Sequence, residues 1–162
     1  MTGLRHLDLS WCGLYQGASW LVLLNRLINN LSDNGVKLTR IRLNNSLILQ
    51  TTLRKLLGSF PLEELSIEGT KFFGSSQYSA PMRTDCFAEV KELPKTLCAL
   101  NVAGSHISSN SLRKVLEKSK QSLKHLNVSN CAVDLGGGLF KELDLVSLQA
   151  WRCSVSEEGG WD

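Results

Sequence analysis

Apolar residues recur along this chain in a fixed frame rather than in simple alternation. The stretch Leu4-Arg5-His6-Leu7-Asp8-Leu9-Ser10-Trp11-Cys12-Gly13-Leu14 puts apolar side chains at slots 0, 3, 5 and 10, counted from Leu4, and a thiol at slot 8. The frame returns from Leu38 with Ile41, Leu43, Ser46 and Ile48, and from Leu62 with Leu65, Ile67, Thr70 and Phe72. It returns again from Leu97 (Leu100, Val102, Ser105, Ile107), Leu123 (Leu126, Val128, Cys131, Val133) and Leu145 (Leu148, Ala150, Cys153, Val155). A half-buried strand accounts for slots 3 and 5, which share one side by the strand period of two. It does not account for slots 8 and 10. A repeated unit does.

Frame starts are 34, 24, 35, 26 and 22 residues apart. The segments between them carry helical rather than alternating periodicity. The spacing predicts helices over Gly17–Leu31, Leu49–Gly58, Met82–Leu93 and Ser109–Lys120, and a short one over Gly138–Leu143. Pro94 sets the end of the third. Each unit therefore reads strand, turn, helix. A strand of three or four residues cannot bury itself, so units of this kind stack. The expected class is α/β, with a parallel sheet on one side, helices on the other and a leucine core between. At slot 8 the chain turns off the strand, where a buried hydroxyl or thiol satisfies loop backbone groups. That makes Cys12, Cys131 and Cys153 structural, with Cys86 and Cys98 as ordinary thiols.

The stretches LRHLDLSWCGL, LKHLNVSNCAV and LEELSIEGTKF carry a resemblance to a known family. The pattern L-x-x-L-x-L-x-x-[CST]-x-Φ followed by a helix resembles the leucine-rich repeat superfamily, and within it the cysteine-containing and ribonuclease-inhibitor-like classes. The resemblance spans Leu4 to Val155. It implies a horseshoe solenoid with a concave parallel sheet and convex helices, one domain over 1–162 holding about five and a half repeats. It also implies a surface that binds another protein, as in F-box-associated and other ubiquitin-ligase substrate receptors. Two departures stand out. The repeat lengths are irregular, and no F-box-like helical module or nucleotide-binding motif accompanies the repeats.

Composition narrows this picture without redirecting it. Hydrophobic residues make up 43% and charged residues 20% of 162, enough for one sizeable core and too apolar for global disorder. A formal charge of +3, with no polybasic or acidic block, gives nucleic acid and membrane surfaces little to hold. The short basic group Lys118, Lys120 and Lys124 reads as a solvated helix end. No apolar run reaches the length of a membrane span, and the first residues do not form a secretory leader. Five cysteines without a C-x-x-C pair fit reduced thiols, hence cytoplasm or nucleus.

Slots 2, 4 and 6 should face outward from the sheet, and they supply the candidate protein-binding residues. Arg40, Arg42, Glu64, Glu68 and His125 lie on that face, Trp11 and Trp151 at its rim, and Tyr78 on a small-residue loop. Exposed indoles and guanidinium groups are common anchors at interfaces. The plainer alternatives are that Arg40 and Arg42 pair with Glu64 and Glu68, and that neighbouring rows cover the indoles. Catalysis, cofactors and metals are not expected, because His6, His106 and His125 fall in different repeats. His6 and His125 would stand four strand spacings apart, about 19 Å. Both ends of the stack look open, to be covered by another chain or by flanking repeats, or closed by Trp11 and Trp161. The expected function is non-enzymatic protein recognition. The alternative is a structural subunit packed permanently in a larger assembly.

Overall fold

A computed structural model describes residues 3–12, 17–73, 84–136 and 138–154. It is a mixed α/β structure whose main sheet has six parallel strands: β1 (His6–Asp8), β2 (Arg40–Arg42), β4 (Glu64–Ser66), β6 (Ala99–Asn101), β7 (His125–Asn127) and β8 (Ser147–Gln149), adjacent in that order. Each strand occupies slots 2 to 4 of its frame, and the pairing is in register: Leu7 beside Ile41, Ile41 beside Leu65, Leu65 beside Leu100, and so on to Leu148. Two shorter strands, β3 (Leu47–Leu49) and β5 (Lys71–Phe73), form a second parallel pair where the chain has turned away from the first sheet.

Slots 0, 3 and 5 form the core. Leu38, Leu62, Leu97 and Leu123 at slot 0, and Leu43, Ile67, Val102 and Val128 at slot 5, are all fully buried. The helices α1 (Gly17–Asp33), α2 (Gln50–Ser59) and α3 (Ser109–Ser119) bury one face against the same cluster, through Leu24 and Ile28, Leu53 and Leu56, and Leu112 and Val115. The Ser108 hydroxyl caps α3 by accepting from the Ser111 N–H at 3.1 Å.

Two expected helices are not helices. Thr84–Leu93 follows tight turns, with Ala88 N–H bonded to the Asp85 carbonyl and Val90 N–H to that of Phe87. Its path is fixed from outside. The Asp85 carboxylate takes the Phe87 and Ser108 N–H groups and the Ser108 hydroxyl, Gln50 Nε2 holds the Asp85 carbonyl, and Cys86 N–H bonds His106. Those ties to adjoining units outcompete a helix that Pro94 would cut short. Residues Met82 and Arg83 lie outside the described residues. Gly138–Leu143 likewise makes only turns, Lys141 to Gly138 and Leu143 to Phe140, too short a stretch to sustain helix nucleation.

Candidate interaction surface

The slot-8 side chains lock each unit to the one before it. Ser46 Oγ donates to the Leu9 carbonyl at 3.0 Å, Thr70 Oγ1 to Leu43 at 2.7 Å and Ser105 Oγ to Ile67 at 2.5 Å. Cys131 Sγ reaches Val102 at 3.2 Å and Cys153 Sγ reaches Val128 at 3.1 Å. In every case the acceptor is the slot-5 carbonyl of the preceding unit. Burial first, and Cys153 nearby, push the Cys131 thiol up to about 11, so it stays a protonated donor. For Cys12, in the first of the described units, no such acceptor occurs among the described residues.

At slot 7 the backbone is left-handed in all six units: Trp11, Asn45, Gly69, Gly104, Asn130 and Arg152 have φ of 64, 52, 61, 64, 57 and 58°. This turn is what swings the chain off the sheet and keeps successive turns superimposed. Glycine and asparagine are the residues that tolerate it. Four units use them, whereas the two end units place Trp11 and Arg152 there. The signal was present in the sequence as a G/N column immediately before slot 8, and the end units hid it.

Several outward polar residues serve this turn. Asp8 accepts from the Ser10 hydroxyl at 2.6 Å and its N–H at 3.0 Å; those two bonds, more than the neighbouring Arg42, hold its carboxyl below the usual range. Asn101 and Asn127 cap the Ala103 and Ser129 N–H groups in the same way. Where slot 4 is the short Ser66, Asn44 of the preceding unit supplies the oxygen, 2.7 Å from Ser66 Oγ and 3.0 Å from the Glu68 N–H.

Between these fixed groups a trough of about 350 Å³ crosses the open face from β2 to β8. It gathers four of the sequence-derived residues: Arg40, Arg42, Glu64 and His125. Arg40 pairs with Glu64 at 3.2 Å, both half-exposed, so this pair spends itself internally. Glu68 stands beyond the strand and takes Asn101 Nδ2 at 3.0 Å. His125 Nδ1 lies 2.9 Å from Ser147 Oγ. Arg42 has no ion pair among the described residues and is the trough's available cation.

The two indoles are not covered by neighbouring rows. Trp11 is 67% and Trp151 76% exposed. They sit at opposite edges of the sheet, five strand spacings or roughly 24 Å apart, so they bracket the face rather than form one cluster. Tyr78 and Trp161 lie outside the described residues. The basic group is engaged: Lys120 with Glu142 at 3.2 Å, Lys124 with Asp144, and Lys118 with the Lys91 carbonyl.

A second hollow, about 480 Å³, runs along the turns between Thr70, Lys71, Thr84, Ser105 and His106, and holds none of the sequence-derived residues. Among the described residues no three His, Cys, Asp or Glu side chains converge to hold a metal ion, and no helix is long and apolar enough to cross a membrane. His6 on β1 and His125 on β7 are separated by β2, β4 and β6. No protein-family model matches this chain, and no curated protein matches it either.

Proposed function

We propose that the chain is a leucine-rich-repeat solenoid acting as a non-enzymatic protein-recognition module, with the open sheet face as its binding surface. The observation that carries this reading is Trp11. A bulky aromatic residue in the left-handed conformation costs roughly 1–2 kcal/mol, and Asn or Gly at the same slot relieves that cost in four other units. Trp11 keeps the strained position while exposing most of its indole, and strain held at an exposed aromatic points to use in binding. Arg42, unpaired in the trough, supplies a charge for a partner carboxylate. Trp151 supplies an apolar contact at the other rim.

The partner is a folded protein or an extended segment of one, engaged across several strands at once. The resemblance to ubiquitin-ligase substrate receptors suggests a substrate-recognition role in a complex of that type, in the cytoplasm or nucleus; five free cysteines agree with a reducing setting. The test is a double variant, Trp151→Ala with Arg42→Ala, used as bait beside the wild type. The reading expects specific partners to be lost while the circular dichroism spectrum and melting temperature are kept. A folded double variant that retains every partner contradicts it.

A further inference from the structure

Capping the turns consumes oxygens and leaves the trough with unused hydrogen-bond donors. Asn127 accepts the Ser129 N–H through Oδ1, which fixes the amide orientation and leaves Nδ2 without a partner among the described residues. Asn44 uses Oδ1 on Ser66 and Glu68, and its Nδ2 is likewise unpartnered among them. Arg42, two residues before Asn44, has no ion pair there, and Asp8 beside it on β1 is bonded to Ser10. His125, two residues before Asn127, has only Nδ1 engaged, by Ser147. Asn101 differs, with its oxygen on Ala103 and its nitrogen on Glu68. The one carboxylate lining the trough, Glu64, is paired with Arg40. The unused donors therefore form two banks, Arg42 with Asn44 and Asn127 with His125. A guanidinium and amide N–H groups select acceptors that carry negative charge.

The banks belong to β2 and β7, three strand spacings or about 14 Å apart. Between them Ser66 on β4 and Ala99 on β6 are the short outward residues and leave a gap, with Glu64 and Asn101 at its corners. An extended segment advances about 3.3 Å per residue and returns to the same side every second residue. Side chains four positions apart then stand about 13 Å apart on one side, with the midway residue between them. Spacings of three and five put the two on opposite sides. A helix brings side chains back into line at seven and eleven positions, about 10.5 and 16.5 Å, short of the span and beyond it.

We infer that the trough takes an extended acidic segment of the partner lying across the strands. One carboxylate sits at Arg42 and Asn44, and a second, four residues on, at Asn127 and His125. The midway residue enters the gap beside Ala99. Ser66 and Asn101 already have their hydrogen bonds made, so that residue needs none and is apolar. The inference rests on the recognition reading and names the chemistry of its partner: two Asp or Glu residues four apart, with an apolar residue midway.

Fluorescein-labelled synthetic peptides test it by anisotropy at low salt. Each carries two glutamates three, four or five positions apart, a leucine two positions after the first, and serine elsewhere, so all have the same charge. Spacing four should bind tightest, by roughly tenfold, the scale of one charge-assisted hydrogen bond. Asn127→Asp keeps an oxygen for the Ser129 N–H, as Asp8 does for Ser10, and replaces the unused donor with negative charge. It should weaken spacing-four binding roughly tenfold and erase the preference over three and five, with the melting temperature unchanged. Ala99→Leu should erase the same preference by filling the gap. Glu117→Gln, on α3, should change nothing. Equal affinities for the three spacings overturn the inference. So does binding by none of the peptides, or a preference that survives both Asn127→Asp and Ala99→Leu. In any of those cases, loss of partners by the Trp151→Ala, Arg42→Ala bait leaves the recognition reading standing without it, and retention of every partner ends both.

Discussion

A Cβ built on Gly69 would fall 2.4 Å from the side-chain oxygen of Asn45, the residue at the same slot in the preceding unit. Successive left-handed turns thus stack directly on one another. Gly104 repeats the conformation, but its Cβ would meet nothing nearer than the Gly69 Cα at 3.7 Å. Gly104→Ala should therefore cost only the strain of the left-handed backbone, roughly 1–2 kcal/mol. Gly69→Ala should cost more, because Asn45 must also move. Gly104→Asn should lie nearest the wild type, since Asn45 and Asn130 adopt this turn already. Urea denaturation midpoints of the three variants check the order.

Removing a slot-8 donor should loosen a junction. Ser105→Ala takes the hydroxyl donated to the buried Ile67 carbonyl, leaving that oxygen, among the described residues, the weaker Thr70 N–H at 3.2 Å. The expected loss is about 1–2 kcal/mol. Ser105→Cys should recover part of it, as Cys131 and Cys153 fill the same role elsewhere. A Ser105→Cys variant no more stable than Ser105→Ala would contradict the ladder.

Alkaline pH should destabilise the fold through the buried thiols. Burial raises both Cys131, to about 11, and Cys86. The folded chain then keeps protons that the unfolded chain releases at the ordinary thiol range. This contribution is fully present below about pH 8.5 and is lost as pH rises toward the folded value near 11. Melting temperatures from pH 8 to 11 should fall, and fall less in Cys131→Ser. Over the same experiment at neutral pH, the half-buried Cys12 and Cys98 should alkylate before Cys86 and Cys131.

Trp11→Asn should raise stability by roughly 1 kcal/mol while weakening partner binding, because it trades a strained exposed indole for the residue the turn prefers. Thermal melts and a binding assay on one protein sample separate the two effects. A variant that loses stability would show that the indole is held by packing and not for use.

The frame at slots 0, 3, 5 and 8 was legible because burial and hydrogen bonding repeat there six times, and composition at those positions has little freedom. Long periodic segments such as Gly17–Asp33 were legible for the same reason. Thr84–Leu93 was not: its apolar spacing suits a helix, but its conformation is set by Gln50, His106 and Ser108 in adjoining units. The pair β3 and β5 was also missed, since three residues of Leu-Ile-Leu or Lys-Phe-Phe carry no periodicity to read. On the candidate surface, residue type picked out Trp11, Trp151 and Arg42 as candidates, and the structure leaves their side chains exposed or without an ion pair among the described residues. Residue type could not separate them from Arg40, Glu64 and Glu68, whose side chains are engaged with one another or with Asn101.

Where the proposed partner binds is the most direct test of recognition through the open sheet. A photo-reactive amino acid placed at Arg42, in the trough, and in a separate protein at Glu117, exposed on α3, reports which side is covered. Recognition through the open sheet predicts crosslinks to partner from position 42 and none above background from position 117. Crosslinks from 117 alone would place the partner on the helices and contradict the account.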